Sequence, residues 1–129
     1  MPRAKQLTLQ VPDQVGTLGE IGAALGTKKA NIVALMASTD MGRGTLRLVV
    51  DKTAAAKKVF ADRGWAATEG EVLQVTLADS PGALGRVAQK LGRAGVNIEY
   101  VYVGGAGSAR KLNAYFGVSD IKAALKAAR

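Results

Sequence analysis

The sequence predicts an α+β fold built from two consecutive copies of a βαββαβ unit, each an antiparallel sheet with its helices on one face. Three observations predict this fold. A set of short motifs occurs twice at one constant separation. Each copy opens with a segment in which apolar and polar residues alternate, as in a half-buried strand. Each of these segments is followed by a glycine-containing turn and then by apolar residues at helical spacing.

The repeat uses a separation of 66 positions. Residues 11–19 resemble residues 77–85, Leu25 corresponds to Leu91, and Asn31 corresponds to Asn97. The same separation is expected to relate the third strands of the two copies, which places Leu46, Leu48 and Val50 opposite Leu112, Ala114 and Phe116. One separation shared by several elements without a gap indicates a duplication, so we expect a first module over residues 1–70 and a second over residues 71–129.

The first half of each unit is expected to be a strand, a turn and a helix. The strands follow from the alternating sets Leu7, Leu9, Val11 and Leu73, Val75, Leu77. Thr17 and Glu20 form a capping-box pattern, and Pro81 after Ser80 suits the first position of a helix. The apolar faces of the two helices are predicted to comprise Leu18, Ile21 and Leu25 in the first unit and Leu84, Val87 and Leu91 in the second.

The second half of each unit is expected to be two strands and a helix. Second strands are predicted at 31–39 and 97–103 and third strands at 46–50 and 112–116, with glycine-containing turns between them. The second helices should begin near Asp51 and Ser119, both good N-cap residues. A fourth strand over 65–69 and a linker over 69–71 complete the first unit.

The second unit is predicted to lack its last strand, because the sequence reaches Arg129 within the last helical pattern. In a βαββαβ unit the fourth strand lies beside the first. We therefore expect residues 72–77 to present an open edge, covered by another segment or by a second chain in a homodimer.

Composition excludes several classes of chemistry. The 129 residues include neither cysteine nor histidine. This excludes disulfides, Cys/His zinc sites, thiol nucleophiles and imidazole acid–base catalysis, and we expect neither a metal nor a cofactor. The sequence has neither a signal-peptide core nor an apolar run long enough to cross a bilayer, so we expect no membrane association and a cytoplasmic location.

The chain is basic, with a net charge of +8. Residues 1–70 and residues 71–129 each carry an excess of four positive charges, so the basic residues are spread over both units. A solvated basic surface is the simplest interpretation, and an anionic partner is the alternative.

The turn motifs resemble the signature of the ACT domain, a ferredoxin-like regulatory module of amino-acid metabolism. Residues 79–84 (Asp-Ser-Pro-Gly-Ala-Leu) followed by Val96-Asn97-Ile98 match this signature fully. Residues 13–18 followed by residues 30–32 match it with Val15 in place of proline and Ala30 in place of isoleucine or valine. The whole chain is also similar to small stand-alone proteins of two ACT modules in tandem, whose second module tends to carry a strand like residues 98–102.

This resemblance implies that a free amino acid binds between ACT modules, which often pair edge to edge through their second strands. The ligand typically contacts the strand–helix turn of one module and the asparagine-bearing strand start of another. The candidate ligand-binding residues are Val15, Gly16, Thr17, Leu18, Asn31 and Ile32 in the first module and Asp79, Ser80, Pro81, Gly82, Ala83, Leu84, Asn97 and Ile98 in the second.

General chemistry favours the same residues. A helix N-terminus has free N–H groups and a partial positive charge that suit a carboxylate. Glycine at Gly16 and Gly82 lets a ligand approach the main chain. The amides of Asn31 and Asn97 can donate to a carboxylate and accept from an ammonium group. If only one turn binds the ligand through its main chain, the proline-containing second turn is favoured.

Each of these residues also has a purely structural interpretation. The glycines can simply shape the turns, Asp13 and Asp79 suit turn capping, and the asparagines can satisfy main-chain groups at a strand entrance. Tyr100 and Tyr102 are expected to pack on the sheet. The glycine run over residues 104–107 lacks the lysine of a phosphate-binding loop and is expected to be a hairpin turn.

Three functions remain open at this point. The first is a non-catalytic sensor that binds a free amino acid and acts on an unidentified protein partner. The second is nucleic-acid binding, which the charge allows, although the aromatic stacking pattern of RNA-recognition modules is absent. The third is a small enzyme on the same fold, for which the sequence offers no cluster of acid–base residues.

Overall fold

The computed structural model describes residues 3–12 and 14–128. Within these residues the fold is α+β and ferredoxin-like, with six strands and four helices. In chain order the elements are β1 (Arg3–Pro12), α1 (Thr17–Thr27), β2 (Ile32–Asp40), β3 (Arg43–Val50), α2 (Thr53–Asp62), β4 (Ala67–Ala78), α3 (Ala83–Arg93), β5 (Ile98–Gly105), β6 (Lys111–Val118) and α4 (Ile121–Ala127). The chain divides into two compact units, Lys5–Gly70 and Glu71–Arg129 with Met1–Ala4. None of the helices in the described part of the chain is long and apolar enough to span a membrane.

The first unit has the strand order β2-β3-β1-β4, with the beginning of β4 at its edge. β3 pairs antiparallel with β1, where Leu7 lies opposite Leu48, and with β2, where Leu35 lies opposite Leu48. Leu7, Leu9 and Val11 of β1 are buried in one cluster with Ile21 of α1 and Phe60 of α2. The alternation in the sequence therefore predicts the correct buried face of β1.

The second unit has the strand order β4-β6-β5 and a separate core under α3 and α4. Leu73 of β4 lies opposite Phe116 of β6, and Leu77 lies opposite Leu112. Leu73, Phe116 and Leu91 are almost completely buried. Each unit thus buries one apolar sheet face beneath its own two helices.

The predicted linker over residues 69–71 is wrong, because β4 is one continuous strand from Ala67 to Ala78. The predicted fourth strand also begins later than expected, since Trp65 precedes β4. The polar run that suggested a linker instead faces the cations of β1. Glu69 pairs with Lys5 at 4.0 Å, and Glu71 pairs with Arg3 at 3.2 Å.

The third strands correspond through a separation of 68 positions and not 66. Leu7 and Leu73 are equivalent, and they pair with Leu48 and Phe116. The prediction that Leu48 corresponds to Ala114 is therefore wrong, because the hairpin between β5 and β6 is two residues longer than that between β2 and β3. An insertion of two residues keeps every side chain on its original face, so the alternation of apolar residues cannot reveal it.

In the part of the second unit that the structure describes, no strand follows α4. Arg3 and Ala4 belong to this unit, and β1 is the neighbour of β4 on the side away from β6. The edge predicted to be open over residues 72–77 is thus flanked at its start by β1, where Arg3 meets Glu71.

Candidate functional site

The strand–helix turn has the same backbone in both units. Gly16 has φ 89° and ψ −6°, and Gly82 has φ 85° and ψ −9°, which is the left-handed conformation that glycine adopts without a steric penalty. In both turns the glycine carbonyl accepts the first helical hydrogen bond, from Glu20 N–H at 2.9 Å and from Arg86 N–H at 3.0 Å. Because a glycine N-cap has no side chain, each turn leaves its first helical N–H groups without a side-chain cap.

The predicted helix starts are wrong at both turns. Thr17 and Glu20 do not form a capping box, since the Thr17 hydroxyl donates to the carbonyl of Gln14 at 3.1 Å and Glu20 accepts from Arg63 at 3.3 Å. Pro81 lies before the helix, because Gly82 is the N-cap and Ala83 the first helical residue. In each unit the left-handed glycine is the N-cap, and the helix begins at the next residue.

A cavity of about 280 Å³ lies against the turn of the first unit. Of the predicted ligand-binding residues, Thr17 and Leu18 line it. Val15 is fully exposed beside it, and a Cβ at Gly16 would meet nothing within 4 Å. The full set of lining residues is Val11, Pro12, Gln14, Thr17, Leu18, Ala37, Ser38, Thr39, Gly44 and Leu46. Asp13 lies outside the described residues.

The first apolar residue of each helix is not part of the core, contrary to the predicted helical faces. Leu18 is 47% exposed and Leu84 is 41% exposed, whereas Ile21, Leu25 and Leu91 are completely buried. Both exposed leucines follow the left-handed glycine by two residues, so each turn presents an apolar side chain beside the N–H groups of its helix. Such a pair of features suits a ligand with one apolar and one anionic part.

The turn of the second unit is held differently. The N–H of Asp79 donates to the carbonyl of Arg110 in the β5–β6 hairpin at 2.7 Å, and Ser80 N–H donates to the Ala78 carbonyl at 2.9 Å. Ser80 and Pro81 are exposed, whereas Ala83 is buried. The guanidinium group of Arg86 lies over Gly82, with Nη1 3.0 Å from the position that a Cβ would occupy. This turn therefore combines helix N–H groups with a positively charged side chain.

The two candidate asparagines occupy equivalent places at the start of β2 and β5. The N–H of Asn31 donates to the Asp51 carboxylate at 2.8 Å, and the N–H of Asn97 donates to the Ser119 hydroxyl at 3.1 Å. Both asparagine side chains are exposed, and the following Ile32 and Ile98 are half-buried against the two cores.

These contacts correct the predicted caps of the second helices. Asp51 and Ser119 hold the asparagine main chain, while the N-caps of α2 and α4 are Lys52 and Asp120. The Asp120 side chain accepts from the N–H of Ala123 at 3.1 Å. The equivalence of Asp51 and Ser119 again requires a separation of 68 positions.

Within one unit the turn and the asparagine lie at opposite ends of the sheet. The end of β1 at Pro12 pairs with Arg43, and the start of β2 at Ile32 pairs with Val50. These two residues are the ends of β3, which spans roughly 24 Å at about 3.4 Å per residue. The second unit has the same arrangement along β6. The structure thus does not bring Gly16 near Asn31 or Gly82 near Asn97.

Tyrosines pack together on the sheet of the second unit. Tyr102 stacks on Tyr115 with ring centroids 5.4 Å apart, and Tyr100 stacks on Tyr102 at 6.4 Å. Tyr102 and Tyr115 are buried. Burial raises the pKa of Tyr115 above its usual value, and a hydrogen bond from Asn113 partly opposes this effect. The prediction that Tyr100 and Tyr102 pack on the sheet is confirmed.

Sequence and structure comparisons identify relatives of the fold. Residues 72–127 match the family model of the ACT domain. A search of curated protein sequences found no match to this chain. A solved protein from Bacteroides thetaiotaomicron is 27% identical and has a TM-score of 0.87, covering 97% of this chain and 85% of that chain.

Two further solved structures have the same fold at low sequence identity. The regulatory subunit of aspartate kinase from Thermus thermophilus is 17% identical with a TM-score of 0.67, covering 98% of this chain and 90% of its own. The corresponding subunit from Thermus flavus is 19% identical with a TM-score of 0.64, covering 99% and 95%. Residues 72–127, less than half of the chain, are thus similar to an ACT domain.

Proposed function

We propose that this chain is a stand-alone regulatory protein of two tandem ACT modules that binds a free amino acid between ACT modules and has no catalytic activity. The observation that carries the proposal is the duplicated turn, in which a left-handed glycine, a helix N-terminus without a side-chain cap and an exposed leucine recur at equivalent positions. The ACT match over residues 72–127 and the aspartate kinase regulatory subunits that share the fold support a regulatory role.

The chemistry of the turns suits the carboxylate of an amino acid. Helix N-terminal N–H groups stabilise an anion, and a guanidinium group adds a charge-assisted hydrogen bond. Arg86 lies over Gly82 in the second turn, whereas the equivalent Glu20 of the first turn pairs with Arg63. We therefore assign the ligand carboxylate to the second turn, Asp79–Leu84. Asn31 and Asn97, with Ile32 and Ile98, complete the proposed contacts.

The site requires a turn and an asparagine from different modules, because the two lie at opposite ends of each unit. Pairing of modules through edge strands would supply this geometry. β2 and β5 are the outer strands of their units, and Val101 and Val103 of β5 are exposed on the apolar side. We propose a cytoplasmic homodimer that pairs through these edges, with ligand occupancy altering its interaction with a regulated protein.

Calorimetric titration of the full chain with each of the twenty common amino acids tests this function. We expect binding in the micromolar to millimolar range, since a ligand of about ten heavy atoms has limited contact area. The Arg86→Gln variant should weaken binding about tenfold, whereas Arg93→Gln, at the other end of α3, should not change it. Absence of both heat and thermal shift for all twenty amino acids would contradict the proposal.

The second candidate function is binding to the phosphate backbone of nucleic acid. It is favoured by five exposed cations on the helices of the second unit, where neither helix contains an acidic residue. These residues, which we call the cationic surface, are Arg86, Lys90, Arg93, Lys122 and Lys126. Binding of this kind weakens steeply with salt. Fluorescence anisotropy with a random duplex at 50 and 200 mM salt tests it, with Lys90→Gln/Lys122→Gln expected to weaken binding.

A further inference from the structure

We propose that the hairpin corner of the first unit pairs with the same corner of a second copy of this chain, with Met41 of each copy entering the cavity of the other. The hairpin corner comprises the tip of the β2–β3 hairpin, residues 40–43, and the cavity of about 280 Å³ beside it. This contact is separate from the pairing of edge strands proposed above and requires no ligand. It gives the first turn a partner of its own, since the ligand carboxylate is assigned to the second turn.

Met41 is an exposed apolar side chain on an unfavourable backbone. It is 94% exposed at the tip of the hairpin. Met41 has φ 52° and Gly42 has φ 79°, so both central residues of the turn have positive φ, as in the type I′ turn that favours asparagine, aspartate and glycine. A methionine in this conformation costs free energy, because its Cβ crowds the main chain. A residue that suits neither the turn nor the solvent indicates a role in an interaction.

The cavity lies next to this methionine on the same hairpin. Thr39 and Gly44 line the cavity, and they are the strand pair that precedes the tip. Met41 follows Thr39 by two residues, which is about 7 Å along a strand. The volume of the cavity lies just below the usual range of small-molecule sites, roughly 300–1,000 Å³, and is sufficient for one side chain. An unbranched methionine adapts to an irregular wall such as the one formed by Val11, Leu18 and Leu46.

Both the methionine and the space belong to the sequence of the first unit. Gly44 is equivalent to Leu112 and Ala37 to Val103, so larger residues stand at these positions of the second unit. The hairpin of the second unit passes through residues 106–110, Ala-Gly-Ser-Ala-Arg, which include no large apolar side chain. The exposed methionine and the space for it thus occur together, as expected if one serves the other.

The charges of the hairpin tip favour a second copy as the partner. A two-fold contact requires a surface that is complementary to itself. Asp40 and Arg43 lie opposite each other on either side of Met41, and both are exposed. Neither forms an ion pair with another residue of the described ranges. A two-fold axis between two tips would place Asp40 of each copy beside Arg43 of the other. Because the tip carries one charge of each sign, two copies of this basic chain can meet there without repulsion.

The mass of the full chain in solution, measured by sedimentation velocity at increasing concentration, tests this contact. The corner is small, so we expect weak association, with a dissociation constant of about 10 μM to 1 mM. The mass should double over this range of concentration. Met41→Ser removes the inserted side chain and Ala37→Leu fills the cavity, and each should weaken the association at least tenfold. Ala37 is exposed, so the larger side chain does not enter the core.

A mixture of these two variants provides the matched control. Met41→Ser keeps the cavity and Ala37→Leu keeps the methionine, so a mixed pair retains one of the two insertions, whereas neither variant alone retains any. The mixture should therefore associate more tightly than either variant by itself. Asp40→Arg and Arg43→Asp provide the same comparison by charge, since each repels its own copies and the two attract each other.

The outcomes separate this contact from the proposed function. A mass that does not double, a Met41→Ser variant that associates like the unaltered chain, or mixtures no tighter than their components would overturn the contact, while amino-acid binding in the calorimeter stands. Association as expected, with no heat from any amino acid, overturns the proposed function alone. Thermal unfolding shows whether each variant is folded, and the charge pair replaces Ala37→Leu if that variant is unfolded.

Discussion

The strand–helix corner of the first unit and that of the second have one backbone and different surroundings. Their glycines differ by only 4° in φ and 3° in ψ, from 89° and −6° at Gly16 to 85° and −9° at Gly82. Beside them the first unit has a cavity and places Glu20 away from the turn, whereas the second places Arg86 over it. The duplication has thus kept the geometry of the helix N–H groups and changed what lies around them.

The sheets of the two units differ in the same manner. Tyr100 lies opposite Gly117 in the second unit, and the equivalent pair in the first unit is Ala34 opposite Val49. The second unit thus places its largest side chain beside a glycine, whereas the first unit has alanine beside valine. Because interiors are close-packed, the space over Gly117 is taken by the Tyr100 ring.

The largest effect is expected for Gly117→Val, which introduces the valine that the first unit has at the equivalent position, Val49. A Cβ at Gly117 would overlap the Tyr100 ring, so the ring must leave its place beside Tyr102. Overpacking of this kind costs about 3 kcal/mol of unfolding free energy. Urea denaturation measures the loss.

The double variant Gly117→Val/Tyr100→Ala sharpens this comparison. It recreates the pair of the first unit, so its unfolding free energy should exceed that expected from adding the two single effects by about 2 kcal/mol. Additive losses would show that the two positions are not coupled and that Val49 is not the counterpart of Gly117.

The next effect concerns the corner glycines. An alanine at φ near +85° to +89° costs about 1 kcal/mol, because its Cβ crowds the main chain. Gly16→Ala should show this cost alone, since nothing lies within 4 Å of the new atom. Gly82→Ala should in addition displace Arg86 and weaken amino-acid binding. Parallel denaturation and calorimetry of the two variants check this, and equal loss of affinity in both would contradict separate roles for the two turns.

The sequence predicts the elements well because burial repeats with a regular period. The alternation over residues 7–11 and 73–77 identifies the buried faces of β1 and β4 correctly. The same regularity conceals the longer hairpin before β6, since shifting a strand by two residues changes no face. The longer hairpin is visible only in the partners across the strands. Gln10 accepts a hydrogen bond from Thr45 in the first unit, and the equivalent Thr76 donates to Asn113 in the second, 68 positions after Thr45.

The candidate site could be predicted only in part. The glycine of each turn and its exposed position follow from the motif, but Leu18 and Leu84 fit a helical apolar face as well as any core residue does. Leu18 and Leu84 are exposed because they lie in the first turn of their helices, and the position of that turn is fixed by the left-handed glycine before it. The cavity could not be predicted, because it depends on the pairing of Gly44 with Val11 across two strands.

A smaller effect is expected for Thr17→Ala, which gives the first turn the alanine found at the equivalent position of the second, Ala83. The change removes the hydroxyl that donates to the Gln14 carbonyl at 3.1 Å. The loss of one such hydrogen bond at a partly exposed site costs about 1 kcal/mol or less. Val15→Pro, which copies Pro81, should offset this loss by restricting the unfolded chain. Thermal unfolding of the single and double variants measures both effects, and further destabilisation by Val15→Pro would show that the turns differ in backbone at this position.

The smallest effect is expected at β4, where each unit has its own glutamate: Glu69 faces lysines and Glu71 faces Arg3. The hydrogen bond from Lys57 at 3.0 Å and the charge of that lysine lower the pKa of Glu69, with a smaller contribution from Lys5. A carboxyl with a lowered folded-state pKa stabilises the protein above its unfolded pKa, and this stabilisation is lost as the pH falls through the folded value. A double-mutant cycle of Glu69→Gln and Lys57→Met should therefore show a coupling free energy at pH 7 that disappears by pH 3.

Because the pair lies at the surface, added salt should also reduce this coupling free energy. An interaction of equal size at pH 7 and pH 3 would mean that the two side chains are held together by packing and not by charge.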